Sequence, residues 1–275
     1  MMAGWSRGLI ELRQSFTNGA ELWAHFFWPG LMLAVMFFLR DTAFESTGLL
    51  LGTLALPSVL GMNAAFGMVS MSQQLTADRE DGTLLRAKAT PNGVRGYLVG
   101  KIISVSGGLV ADLTIFLIPG MLIIPGLAVG SPGSWLTLIW VLALGMVATL
   151  PIGAVLGSVF TSARGQGLIQ LPILGLIAIS GVFYPITSLP EWLQGIAQVF
   201  PFYWLGLGMR SALLPDAAVA IEIGQSWRHL ETIGVLGGWA VLGLVVAPIV
   251  LRRMARRESG SSVAARREKA LQRIG

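Results

Sequence analysis

Three groups of residues have types and positions that could do chemistry. Ser158 and His229 set a hydroxyl and an imidazole among apolar residues, the pair an intramembrane serine protease would need. Asp112 stands inside a long apolar run, where a lone carboxyl could carry a proton or meet a substrate. Asp78, Arg79, Glu80, Asp81, Arg86 and Lys88 crowd into eleven residues, whereas the flanking runs 48–72 and 98–124 carry only Lys101 and Asp112. That charged island offers ion pairs to another protein rather than a reaction centre.

Further chemistry is limited by what the chain lacks. Leu156-Gly157-Ser158-Val159 has no Gly-x-Ser-x-Gly turn to expose a nucleophile, and His229 falls outside the nearest apolar run. With no cysteine there is no disulfide, thiolate ligand or thiol nucleophile. His25 and His229 are far apart and neither has a neighbour at metal-ligand spacing. A phosphate loop needs Gly-x-x-x-x-Gly-Lys-Ser/Thr, and the nearest approach, Gly96 to Lys101, has the wrong spacing and is followed by Ile102. No phosphate-loop nucleotide site is therefore expected on this chain.

The elements that must position these residues are membrane helices. At 54% hydrophobic, 12% charged and a mean hydropathy of +0.71, the 275 residues are too apolar for a soluble domain. Trp5, Leu9, Leu12 and Phe16 recur at helical spacing opposite Arg7, Glu11, Gln14 and Asn18, which predicts an interfacial amphipathic helix over 4–20. Six apolar runs follow at 22–39, 48–72, 98–124, 135–160, 167–183 and 233–251, each expected to be a spanning helix. Residues 185–230 are interrupted by Pro201 and by scattered polar residues, and are expected to form short re-entrant helices before the last span.

Charge assigns the sides. With six spans and both termini in the cytoplasm, sixteen of the 19 Lys and Arg fall inside, eight of them in the tail 252–275, and only Arg40, Arg210 and Arg228 fall outside. A basic juxtamembrane tail thus accounts for the net charge of +5 without nucleic acid. The island lies inside, in the loop 73–97. It reads as a short helix with Thr76 or Asp78 as N-cap, Leu84 and Leu85 presented outward, and a stop at Pro91 before the Asn92-Gly93 turn.

The run from Asp78 to Pro91, with Gly100-Lys101 beyond it, resembles the ABC-2 family of ATP-binding-cassette exporter permeases. Leu189-Pro190-Glu191-Trp192-Leu193, then Pro201 and Arg210, resembles that family's external region. The resemblance implies a single all-α polytopic domain in a bacterial inner membrane, paired with a second permease chain, identical or not, and with two ATPase subunits. It implies that Asp78, Arg79, Glu80, Asp81, Gly82, Thr83, Leu84 and Arg86 form the coupling segment against those subunits. The implied activity is export of a drug, antibiotic or lipid-like amphiphile by alternating access, with no ATPase site on this chain.

Met and aromatic side chains suit an adaptable apolar path, and Phe27, Met32, Met36, Asn63, Phe66, Asp112, Gln170 and Phe183 are its candidate residues. A charge at mid-membrane costs about 2.5–3.5 kcal/mol on insertion scales, so Asp112 is expected to pair with Asn63 or Gln170, to be protonated, or to meet substrate. A proton-coupled carrier built on Asp112 is the alternative to ATP-driven export. Gly61 with Ala65, and Gly234 with Gly238, could let helices of two chains approach closely.

Overall fold

The computed structural model describes residues 2–43, 50–160 and 163–257. Among them the regular elements are all helical: α1 (Met2–Ser15), α2 (Gly19–Leu39), α3 (Leu51–Glu80), α4 (Thr83–Lys88), α5 (Gly93–Ile123), α6 (Pro132–Val159), α7 (Ala163–Ala178), α8 (Glu191–Val199), α9 (Pro201–Leu213) and α10 (His229–Arg257). Short 3-10 turns occupy Ile186–Ser188, Asp216–Ile221 and Ile223–Gln225. The expected tail beyond Arg257, and positions 48 and 49 of the second expected span, lie outside the described residues.

Among the described residues five helices, α2, α3, α5, α6 and α10, are long and apolar enough to cross a membrane. The remaining expected span is shorter than read. α7 has 16 residues, about 24 Å at 1.5 Å each, against a hydrocarbon core of about 30 Å. It ends at Ala178 rather than 183, because the Ser180 hydroxyl donates to Ile177 O at 2.6 Å and Gly181 turns the chain with φ of +71°.

Local chemistry sets the other boundaries. The Asn18 side chain accepts the Ala20 N–H at 3.1 Å, so α1 stops at Ser15 and α2 starts at Gly19, where a single helix over 4–20 was expected. Ser131 caps α6 through the Ser134 N–H at 3.1 Å, with Pro132 at the first helical position. The largest correction concerns α3, which continues eight residues past 72. Its polar end, Gln73 to Glu80, keeps the helical ladder until Gly82, whose φ of +81° stops it. The Asp81 carboxylate accepts the Thr83 N–H at 2.7 Å and starts α4, so neither Thr76 nor Asp78 is an N-cap.

Part of the segment expected to form short re-entrant helices, α9, lies in the core of the bundle. Every residue of α9 except Ser211 is buried, between α3, α6 and α10. Small residues permit this. A Cβ on Gly61 would lie 2.6 Å from Gly206 Cα, and one on Gly208 would lie 2.7 Å from Val141 Cγ1. α3 meets α6 in the same manner, since a Cβ on Gly153 would lie 2.2 Å from Met68 O. Gly61 therefore serves contact within the chain, while Gly234 and Gly238 face open space.

Replacing Gly61 by Ala should lower stability by about 1–3 kcal/mol through overpacking, whereas Gly234→Ala should stay within about 0.5 kcal/mol. Thermal unfolding of the two purified variants in detergent checks this; equal melting temperatures would contradict the α3–α9 contact.

Candidate functional site

The charged island divides between two faces. Asp78, at the last turn of α3, points inward. Its Oδ2 lies 2.8 Å from Lys101 Nζ and accepts the Tyr97 hydroxyl at 2.7 Å, both on α5. Lys101, only 5% exposed, also donates to Glu11 Oε2 at 3.1 Å, and Arg7 Nε reaches Glu11 Oε1 at 2.8 Å. The Arg7 guanidinium lies 5.0 Å from the centre of the Tyr97 ring. Two acids and two bases thus join α1, α3 and α5.

α1 is held as closely by its backbone. A Cβ on Gly4 would lie 2.6 Å from Gly96 O, and one on Gly8 would lie 2.6 Å from Gly100 O, a small-x-x-x-small match on both helices. The expected interfacial helix is therefore packed along the first turns of α5. Burial is the largest influence on Glu11 and pushes its carboxyl up, but Arg7 and Lys101 together outweigh it and hold the pKa below the usual glutamate value.

Arg79 also turns inward. Its Nη1 donates to Ser158 O at 2.8 Å and Gly157 O at 3.3 Å, placing a cation on the last carbonyls of α6. Leu84 is fully buried with Leu75, Ala87, Tyr97 and Met254, so it anchors α4 to the bundle, where outward presentation was expected. Leu85 is half-buried. The outward residues are Glu80, Asp81, Arg86 and Lys88. Arg86 Nη2 donates to Thr83 Oγ1 at 2.8 Å, and Lys88 Nζ to Arg256 O at 3.4 Å, which ties α4 to α10. Gly93 closes the turn after α4, since a Cβ there would sit 2.0 Å from Ala87 O.

The candidate path residues are spread over several places in the bundle. Met36 and Phe183 line a cavity of about 200 Å³ between α2, α3 and the segment after α7. Phe27 is exposed on α2 and stacked on Trp23 with ring centres 5.2 Å apart, and Gln170 is exposed on α7. Met32, Asn63 and Phe66 are half-buried within the bundle. Asp112 pairs with neither Asn63 nor Gln170: its Oδ1 contacts His25 Nδ1 on α2, and the imidazole stacks on Phe16 with centroids 4.5 Å apart. Sequence reading missed His25 because 87 residues separate the partners.

The protease pair is not assembled. The Ser158 hydroxyl donates to Ala154 O at 2.6 Å within α6, and His229 packs edge-on against Trp140, about 27 Å along α6 from Ser158 at 1.5 Å per residue.

Replacing Lys101 by Met leaves Asp78 without its cation and Glu11 with Arg7 alone, and should cost about 3–5 kcal/mol, most of it recovered when Asp78→Asn and Glu11→Gln are added. Thermal unfolding of the single and triple variants measures this. A second test uses pH. Because the Glu11 pKa is lowered by folding, its contribution is complete above the usual glutamate value of about 4.3 and is lost as pH falls through the lower folded value. Protection of the α1 amides, taken relative to their intrinsic exchange rates at each pH, should therefore fall on acidification, and Glu11→Gln should flatten that fall.

No curated protein matches the chain. The model of the family described as ABC-2 family transporter protein matches residues 33–247, from within α2 to within α10. Permeases of that family work with an ATPase subunit, consistent with the lack of a phosphate loop in this sequence. On a match that covers most of its length and a multi-helical apolar bundle that fits it, the chain belongs to the ABC-2 family of transporter proteins as a membrane-spanning permease component.

Proposed function

We propose that the chain is the permease subunit of an ATP-driven exporter that moves an amphipathic drug, antibiotic or lipid-like compound outward by alternating access. It works as a pair of permease chains with two ATPase subunits that carry ATP and magnesium, in a bacterial inner membrane, with α4 on the cytoplasmic side. The carrying observation is the two-faced α4. Its inner face, Leu84 and Ala87, belongs to a buried cluster with residues of α3, α5, α6 and α10, while Arg86 and Lys88 on α4, and Glu80 and Asp81 just before it, remain outside. A short helix so attached moves with the bundle when an ATPase pushes on its charged surface. Asp78 and Arg79 act from behind, as the groups that hold the end of α3.

His25 and Asp112 support a second reading. A titratable pair between two apolar helices is the kind of group a proton-coupled carrier uses. Transport that continues with an uncoupler present and stops when ATP is depleted excludes it.

Glu80→Arg should leave membrane insertion and melting temperature unchanged, since Glu80 is exposed. In proteoliposomes containing the partner ATPase it should abolish most transport while leaving basal ATP hydrolysis. Transport at the parent rate would refute the docking role of α4.

A further inference from the structure

The cavity that holds Met36 and Phe183 lies at the far end of the bundle from α4, about 40 Å away along α3 at 1.5 Å per residue. Its walls are apolar and include Ala55 and Val59. Its floor is polar. Arg210 Nε and Nη2 meet Glu222 at 2.5 and 3.3 Å, and Arg210 Nη1 donates to Gly181 O at 3.2 Å and Ser58 Oγ at 3.3 Å. Arg210, Glu222 and Ser58 are 3%, 5% and 2% exposed, so the floor is fixed and largely dry. At the mouth, Leu39 and Phe183 are 44% and 63% exposed.

Volume, charge and shape each restrict what can enter. Sites for whole drug-sized ligands enclose about 300–1,000 Å³, so a cavity of about 200 Å³ holds one end of a molecule and leaves the rest outside. Arg210 is already neutralised by Glu222. An incoming ion would lack a counter-charge in apolar surroundings, which excludes carboxylates, phosphates and ammonium groups. Ser58 accepts from Arg210 and keeps its own proton for a guest oxygen. The exposed apolar mouth suits a hydrocarbon chain.

We propose that this cavity binds the uncharged polar end of a single-chain amphiphile, an alcohol or an amide, with its head on Ser58 and its chain leaving between Leu39 and Phe183. This deepens the exporter reading by assigning a substrate class, and rests on that reading only for the link to transport; occupancy itself needs no ATP.

The test uses the full chain in lipid nanodiscs and a diazirine-bearing octanol, with adducts located by mass spectrometry. Labelling should concentrate on Met36, Ser58 and Val59, and 1-octanol should compete at least about tenfold better than octanoate or octylammonium. Ala55→Trp should abolish labelling by filling the cavity, and Ser58→Ala should weaken octanol competition about fivefold. If Ala55→Trp fails to fold, Ala55→Leu and the competition series on the parent protein decide. Labelling spread over the surface of α2, or octanoate competing as well as octanol, overturns the proposal. Site labelling without ATP-dependent transport would leave the site standing and remove the exporter reading; transport without site labelling would do the reverse.

Discussion

Lys101 brings an ammonium to a place that is 5% exposed, and the arrangement of one end of the bundle follows from what that charge requires. An unpaired buried cation is costly, and neutralising it takes carboxylates with good geometry. Asp78 comes from α3 and Glu11 from α1, while Arg7 balances the second acid. Each helix thereby acquires a register against the other two. Tyr97 donates to Asp78 and lies under Arg7, which also shields the pairs from water. The close backbone contact of Gly4 and Gly8 with Gly96 and Gly100 brings Glu11 within reach of Lys101. Steric and electrostatic demands agree here, which is why a helix only 14 residues long can be held firmly.

Much of this was legible in the sequence, and the parts that were not share a cause. Hydropathy located the long helices because each run reports on its own environment. The polar end of α3 was misread because charge ends an apolar run without ending a helix; Gly82, three residues beyond Arg79, was the relevant signal. Leu84 was assigned outward because α4 taken alone has no inside. Its partners come from four other helices, and Met254 is 170 positions away. The pairing of Asp112 with His25 failed for the same reason, since it depends on α2 lying beside α5. Arg79 was recognised as charged, yet its role at the end of α6 depends on where that helix stops.

The opposite end uses a related device with a different outcome. Arg210 and Glu222 satisfy each other almost completely, so they add little net field to the surrounding cavity. A buried pair of this kind contributes little net stability over an apolar replacement but specifies one arrangement of the chain. Here it joins α9, the segment before α10, Ser58 of α3 and the turn at Gly181. The sequence placed Arg210 among the few basic residues outside, but nothing local identified Glu222 as its partner.

The contact between Gly61 and Gly206 also divides α3 unequally. From Gly61 to Glu80 is about 28 Å along the helix, and from Gly61 back to Leu51 about 15 Å, at 1.5 Å per residue. If α3 tilts as a rigid rod about that crossing, it behaves as a reducing lever. A displacement at the α4 end then arrives at the Leu51 end roughly halved and reversed in direction, with correspondingly greater force.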